Sequence, residues 1–416
     1  MCSKIAHPSP IFAKNKDNHM RKQSTQTTIN LDRAKGCLVG GAVGDALGYA
    51  IEFDKWPYIR ERYGDKGIRR YELAYNGKAL ISDDTQMTLF TASGILLGMT
   101  RGCTRGVMGR LDMYCKFTYI DWLHTQEWES RRSGERCDSW LMDVPELYAR
   151  RAPGLTCLSA LKAVERNEEA VNDSCGCGGV MRTAPLAILD YIHGYADGEY
   201  NYCDMVAAET ARITHKHPLG FIPAAVLNDI LMQIFDGEYE RNSDLVSIVR
   251  TASKRLPEIV SESDGKKTYG ELWPEHVRKM QEIIEQALTL AKSDLSDVVA
   301  LETIGGGWTG HEALAMAIFS AVRHCDNFED AICSSVNHSG DSDSTGAICG
   351  NIMGALLGRN AIPEHYTANL ELLDVIEEIA TDLFTGCTIE YNNENKEEER
   401  RWESKYCYFV RVPRGI

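Results

Sequence analysis

Two sets of glycines at four-residue spacing constrain this chain more than any other feature. Gly36, Gly40, Gly44 and Gly48 form one set, and Gly346, Gly350, Gly354 and Gly358 form the other. On a helix each set falls into a single stripe. Glycine in a helix interior costs about 1 kcal/mol relative to alanine, so such a run needs compensation from very close backbone packing. The stripes therefore predict two central helices that nearly touch. The same G-x-x-x-G spacing serves membrane helix dimers. Here Asp45 interrupts the first stretch, and the apolar runs fall short of the ~20 residues a span needs.

Elsewhere apolar residues recur at three and four, with few alternating runs, so the chain reads as mostly helical. Residues 1–30 are polar and basic, with Pro8 and Pro10, and read as an N-terminal extension outside the core. The domain is expected over 31–385. A C-terminal tail over 386–416 opens on a charged run and closes on a short strand-like ending. The segment from Arg241 to Asp297 is amphipathic and suits peripheral helices. No apolar core of signal-peptide length opens the chain, which places the expectation in the cytoplasm. Fourteen cysteines lack the dense framework of a secreted domain. Cys175 and Cys177 have no second thiol pair at zinc-finger spacing, which argues against structural zinc. A formal charge of -15 repels phosphates and disfavours a nucleic-acid partner, and no membrane partner is expected.

Two clusters carry the chemistry. Ser82-Asp83-Asp84-Thr85 precedes one apolar helical stretch, and Asp341-Ser342-Asp343-Ser344-Thr345 precedes the second glycine stripe. Helix capping explains one residue in each, since Ser, Thr and Asp satisfy free N–H groups of a first turn. It does not explain several adjacent carboxylates, which repel one another unless a cation neutralises them. Hard oxygen ligands of this kind suit Mg²⁺ or Mn²⁺. A third piece, Gly44-Asp45-Ala46-Leu47-Gly48 followed by Glu52, is weak alone. The glycines at 40, 41 and 44 lack the dinucleotide order and a preceding strand, and no G-K-S/T completes a P-loop.

Together GDALG with Glu52, SDDTQM, GCGGVMR, ITHKHP and SGDSDSTG resemble the ADP-ribosylglycohydrolase family, in this order, over roughly Leu31 to Phe384. The resemblance implies a single compact all-α domain with a central cleft holding two Mg²⁺ or Mn²⁺ ions. Carried over by motif, Ser82, Asp83 and Asp84 from the first cluster and Asp341, Asp343 and Ser344 from the second are the implied metal ligands. Asp83 and Glu52 are the candidates for proton handling. The glycine-rich loop with Gly176, Gly178, Gly179 and Met181 is the implied approach to the ADP-ribose, with a tight turn as its plainer reading. His217 of ITHKHP is expected beside the cleft rather than on a metal, as is its neighbour His215. Trp308, in a G-G-W-T-G-H-E segment like that of relatives acting on ADP-ribosyl-arginine, is either an aromatic wall for the ligand or a core tryptophan. Some bacterial relatives carry an acidic residue in a D-x-G-N-T stretch, where this chain reads Ala152-Pro153-Gly154-Leu155-Thr156.

The implied activity is metal-dependent hydrolysis of ADP-ribosylated arginine on a protein substrate. Serine- or acyl-linked ADP-ribose is the alternative substrate, because metal ligands do not distinguish linkages. A different class is an immunity protein that blocks an ADP-ribosyltransferase toxin through the basic arm (Lys4, Lys14, Lys16, Arg21, Lys22). Two-metal phosphoester hydrolysis shares the ligands but not the set of motifs.

Overall fold

The computed structural model describes residues 23–127, 137–193, 201–237, 243–262, 273–389 and 396–407. Their regular structure is helical, and the β-type pairings among them are two isolated bridges, Ala79 with Leu370 and Gly176 with Thr309. The first helices are α1 (Gln23–Tyr49), α2 (Trp56–Tyr63), α3 (Asp83–Arg105), α4 (Leu111–Gln126) and α5 (Leu155–Glu165). There follow α6 (Pro185–His193), α7 (Asn201–Arg212), α8 (Pro218–Asp236), α9 (Ser243–Glu262) and α10 (Trp273–Leu290). The last are α11 (Asp297–Ile304), α12 (Gly310–Arg323), α13 (Phe328–Val336), α14 (Ser342–Leu357), α15 (Glu364–Thr367), α16 (Leu373–Thr385) and α17 (Lys396–Tyr406).

The two glycine stripes meet. α1 and α14 run antiparallel, with Gly36 against Gly354, Gly40 against Gly350 and Gly44 against Gly346. A methyl group on any of these six would land inside the facing backbone carbonyl. Gly48 continues the seam against Ser342, while Gly358 lies past the end of α14 at φ 84, against the Asp32 carboxylate. This seam forms the centre. α8, apolar and long enough to cross a membrane, is instead buried within the protein and packs on α7, α9, α12 and α14. α9 and α10 turn inward one face each, with Leu245, Ile248, Val249 and Ala252 on the first and Val277, Met280, Ile284 and Ala287 on the second.

At both ends helices run past the expected bounds of the domain. α1 begins at Gln23, so its first turns fall within the stretch read as an extension, while residues 1–22, including both prolines and the cations of the arm, lie outside the described residues. The charged run of the tail is helical because Trp402 and Tyr406, four residues apart, share one face and are buried. Trp402 Nε1 donates to Thr100 Oγ1 at 2.8 Å and the Tyr406 hydroxyl donates to Asp382 Oδ2 at 2.8 Å, docking α17 on α3 and α16. The strand-like ending, from residue 408 on, lies outside the described residues. The described cysteines form no disulfide.

Candidate active site

The glycine register brings the motifs together. Because Gly48 faces Ser342, the turn that follows α1 must lie beside the N-terminus of α14. That turn carries Glu52. One carboxylate oxygen each of Glu52, Asp341 and Asp343 lies within 4.8 Å of the other two. Asp341 caps α14, accepting from Ser344 N–H at 3.4 Å, and Ser344 N–H also donates to Asp343 Oδ1 at 3.0 Å. Ser82 caps α3 by accepting from Asp84 N–H at 3.2 Å, and its side chain favours the charged form of Asp343. The two clusters, distant in sequence, therefore adjoin at the N-termini of α3 and α14, whose backbone dipoles favour negative charge.

Three residues hold the first cluster in place, none of them assigned to the site from sequence. Asp45, fully buried on α1, accepts Ser82 N–H at 2.9 Å and Thr85 N–H at 3.1 Å, and also the Thr85 hydroxyl. Arg151 accepts Asp83 N–H on its carbonyl at 3.1 Å. Its guanidinium donates to Ile81 O at 3.2 Å and to both oxygens of Glu371, at 3.1 and 3.2 Å. The segment Ala152–Thr156, where some relatives carry an acidic residue, reaches the cluster with backbone: Gly154 N–H donates to Asp83 Oδ2 at 3.4 Å. Asp45→Ala strands two buried N–H donors, so unfolding in denaturant should show a loss of about 1–3 kcal/mol. Asp45→Asn keeps an acceptor and should lose much less.

The electrostatics are one-sided. Asp83, Asp84, Asp341 and Asp343 are buried. Burial raises the proton affinity of each, and after burial Asp343 is the strongest influence raising Asp45, Glu52, Asp83, Asp84 and Asp341. Asp45 is pushed up to about 7 and Glu52 to about 10. Glu52 Oε2 and Asp84 Oδ2 are buried without a hydrogen-bond partner. A folded state that keeps protons the unfolded chain has released loses stability as pH rises. In EDTA the melting temperature should therefore fall as pH is raised from ~4, where free carboxylates ionise, through about 7 and toward about 10. A melting temperature that rises over this interval would contradict these proton affinities.

Of the other expected residues, Gly176, Gly178 and Gly179 lie in the loop 172–179, Met181 follows it, and His217 and Trp308 bond to its backbone. At its far end Cys177 donates its thiol to Asp341 Oδ2 at 2.8 Å and its N–H to Trp308 O at 3.1 Å. The glycines answer to packing: a methyl at Gly176 or Gly178 would crowd the His215 ring, and one at Gly179 would strike Gly220 O. Met181 is buried with its sulfur 3.8 Å from the Ser344 hydroxyl. Arg182 points into the core, donating to Thr214 Oγ1 at 2.7 Å and lying over the Tyr119 ring. His215 is buried and held uncharged, its value lowered to about 3 by burial and by Arg182. His217 caps α8 by accepting from Leu219 N–H at 3.1 Å. It also lines a cavity of ≈ 470 Å³ with Asn172, Asp173, Lys216, Pro218 and His276, at the end of the loop away from the carboxylates. Trp308 is not a core residue: it is half-exposed and stacks on Phe53, the residue after Glu52.

Known proteins resemble this chain over most of its length. The chain is 27% identical to "ADP-ribosylhydrolase ARH1" of Dictyostelium discoideum, over 87% of this chain and 97% of that protein. It is 24% identical to "ADP-ribosylarginine hydrolase Tri1" of Serratia proteamaculans, over 85% of this chain and 80% of that protein. A solved structure described as "ADP-ribosylglycohydrolase-related protein complex" shares the fold, with a TM-score of 0.58 at 21% identity, covering 86% of this chain and 99% of that one. The sequence model described as ADP-ribosylglycohydrolase matches residues 26–393, and with the helical fold built around the α1–α14 seam it makes this chain a member of the ADP-ribosylglycohydrolase family.

Proposed function

We propose that this chain hydrolyses the N-glycosidic bond of ADP-ribosylated arginine on protein, with two divalent cations, Mg²⁺ or Mn²⁺, held by Ser82, Asp83, Asp84, Asp341, Asp343 and Ser344. The observation that carries the reading is the buried acidic cluster, in which Glu52, Asp341 and Asp343 bring one carboxylate oxygen each within 4.8 Å of the other two and Asp83 and Asp84 are buried as well. The residues fit such ions: hard oxygen donors converge, and the orphaned oxygens of Glu52 and Asp84 are buried acceptors in need of a positive partner. Bound there, divalent cations supply Lewis-acid stabilisation of developing negative charge and orient sugar hydroxyls.

The chain's own groups do the rest. With the neighbouring carboxylates neutralised, Glu52 gives up the proton that burial and their charge make it hold, and, beside Asp341 and Asp343 with one oxygen unpartnered, it takes the proton of the attacking water as the bond from C1 to nitrogen breaks. Asp83 is the second proton-handling group, oriented by Gly154 N–H. The 172–179 loop runs from the carboxylates to the His217 cavity, which suits a ligand with its reacting ribose at one end and its adenine at the other. The arginine linkage is favoured by the likeness to the hydrolase of Serratia proteamaculans that carries that linkage in its name. The test is incubation with arginine-, serine- and acyl-linked ADP-ribosyl substrates, with and without EDTA. ADP-ribose should appear from the arginine substrate, stop in EDTA and return with Mg²⁺ or Mn²⁺. Release from only the serine or acyl substrate would move the linkage, and full activity in EDTA would remove the cations from the reading.

A further inference from the structure

Phe53 and Trp308 expose large aromatic rings at the edge of an acidic site. Phe53 is 65% and Trp308 42% exposed, yet their rings stack with centroids 5.5 Å apart and planes 21° apart. Phe53 also adopts a left-handed backbone conformation, φ 72, which is costly for a residue other than glycine. Neither exposure nor strain serves the core, so the pair calls for another purpose.

Both rings are tied to the carboxylates. Phe53 directly follows Glu52. Trp308 belongs to the loop between α11 and α12, in which Gly306 O accepts Asp341 N–H at 2.9 Å and Gly307 lies against Asp341 and Thr345. The Trp308 carbonyl accepts Cys177 N–H at 3.1 Å, fixing the loop to the residue whose thiol contacts Asp341. The stack therefore stands at the rim of the acidic cluster, joined to it from two separate segments. A planar, delocalised cation stacks favourably on aromatic faces.

We propose that the Phe53–Trp308 stack receives the guanidinium of the arginine leaving group and so selects arginine-linked ADP-ribose over neutral linkages; this rests on the hydrolase reading above. Serine and acyl leaving groups carry no cation and gain nothing from the rings.

The test compares the full-length parent with Phe53→Ala, Trp308→Ala and Trp308→Phe. Kinetics are measured on arginine-linked and serine-linked ADP-ribosyl peptides, together with the inhibition constant of free ADP-ribose. Each alanine variant should raise KM for the arginine substrate by about 2–30-fold, the range of a cation–π contact, with kcat changed much less. ADP-ribose inhibition should stay within about twofold, because the rings face the leaving group rather than the nucleotide. Trp308→Phe, which keeps a ring, should recover most of the arginine preference. Should Phe53→Ala disturb folding, Phe53→Gly removes the ring while relieving the left-handed strain, and is expected to give the same KM effect. An unchanged KM, or equal losses for the arginine substrate, the serine substrate and ADP-ribose, overturns the proposal while leaving the hydrolase reading standing. A parent protein inert toward the arginine linkage overturns both.

Discussion

Asp343→Ala should reduce turnover of an ADP-ribosyl substrate by roughly 10³-fold or more, the scale of losing a charge-stabilising group, while the metal-free protein folds as stably as its parent. The reason lies in what Asp343 does to its neighbours. It is the strongest charged influence on Asp45, Glu52, Asp83, Asp84 and Asp341, and in each case it raises the proton affinity. Removing it relieves repulsion among buried carboxylates in the absence of cations. The same removal takes away a proposed ligand and weakens cation binding. Activity and metal-free stability should thus move in opposite directions or dissociate, which a purely structural residue would not show. Asp83→Ala should behave alike. Melting curves in EDTA alongside steady-state rates check both halves, and full activity in either purified variant would exclude the proposed centre.

Gly44→Ala and Gly350→Ala should be among the most destabilising single changes in the chain. Two effects compete. Alanine gains about 1 kcal/mol over glycine in a helix interior, and overpacking a tight core costs about 1–3 kcal/mol, occasionally more. The clash decides the sign here, because the methyl at 44 would overlap Gly346 O and the one at 350 would overlap Gly40 O. Neither is the end of a flexible side chain. Relief requires moving α1 from α14, which opens the whole seam, so a net loss of at least about 2 kcal/mol is expected, or failure to fold. Gly102→Ala is the contrasting case: on α3 a methyl meets only the Met108 side chain, with its nearest atom at 3.3 Å. It should be close to neutral. Denaturant unfolding of the three variants makes the comparison, and a stable Gly44→Ala would refute the packing argument.

The central helix pair was readable because a repeated glycine cost has few remedies, and backbone contact is one of them. The register was not readable. It needs the facing pairs, and only those explain why the turn with Glu52 sits beside Asp341 and Asp343. Asp45 read as an interruption of an apolar stripe; in the structure it is a cap that α1 supplies to α3, a partnership across the fold that local spacing cannot reveal. In GCGGVMR the glycines drew attention, although the thiol of Cys177 makes the contact with Asp341. Phe53 gave no signal at all, since a left-handed phenylalanine has no signature in a single sequence. The tail helix could have been found from Trp402 and Tyr406, whose four-residue spacing is masked by the surrounding charges.

The most direct measurement is calorimetric titration of Mn²⁺ into the metal-free protein, parent and Asp343→Ala side by side. If the carboxylates of α3 and α14 form one cation centre, the parent takes up two ions per chain and the variant loses both, or binds them far more weakly. A parent that binds no Mn²⁺, or a variant that titrates like the parent, would contradict it.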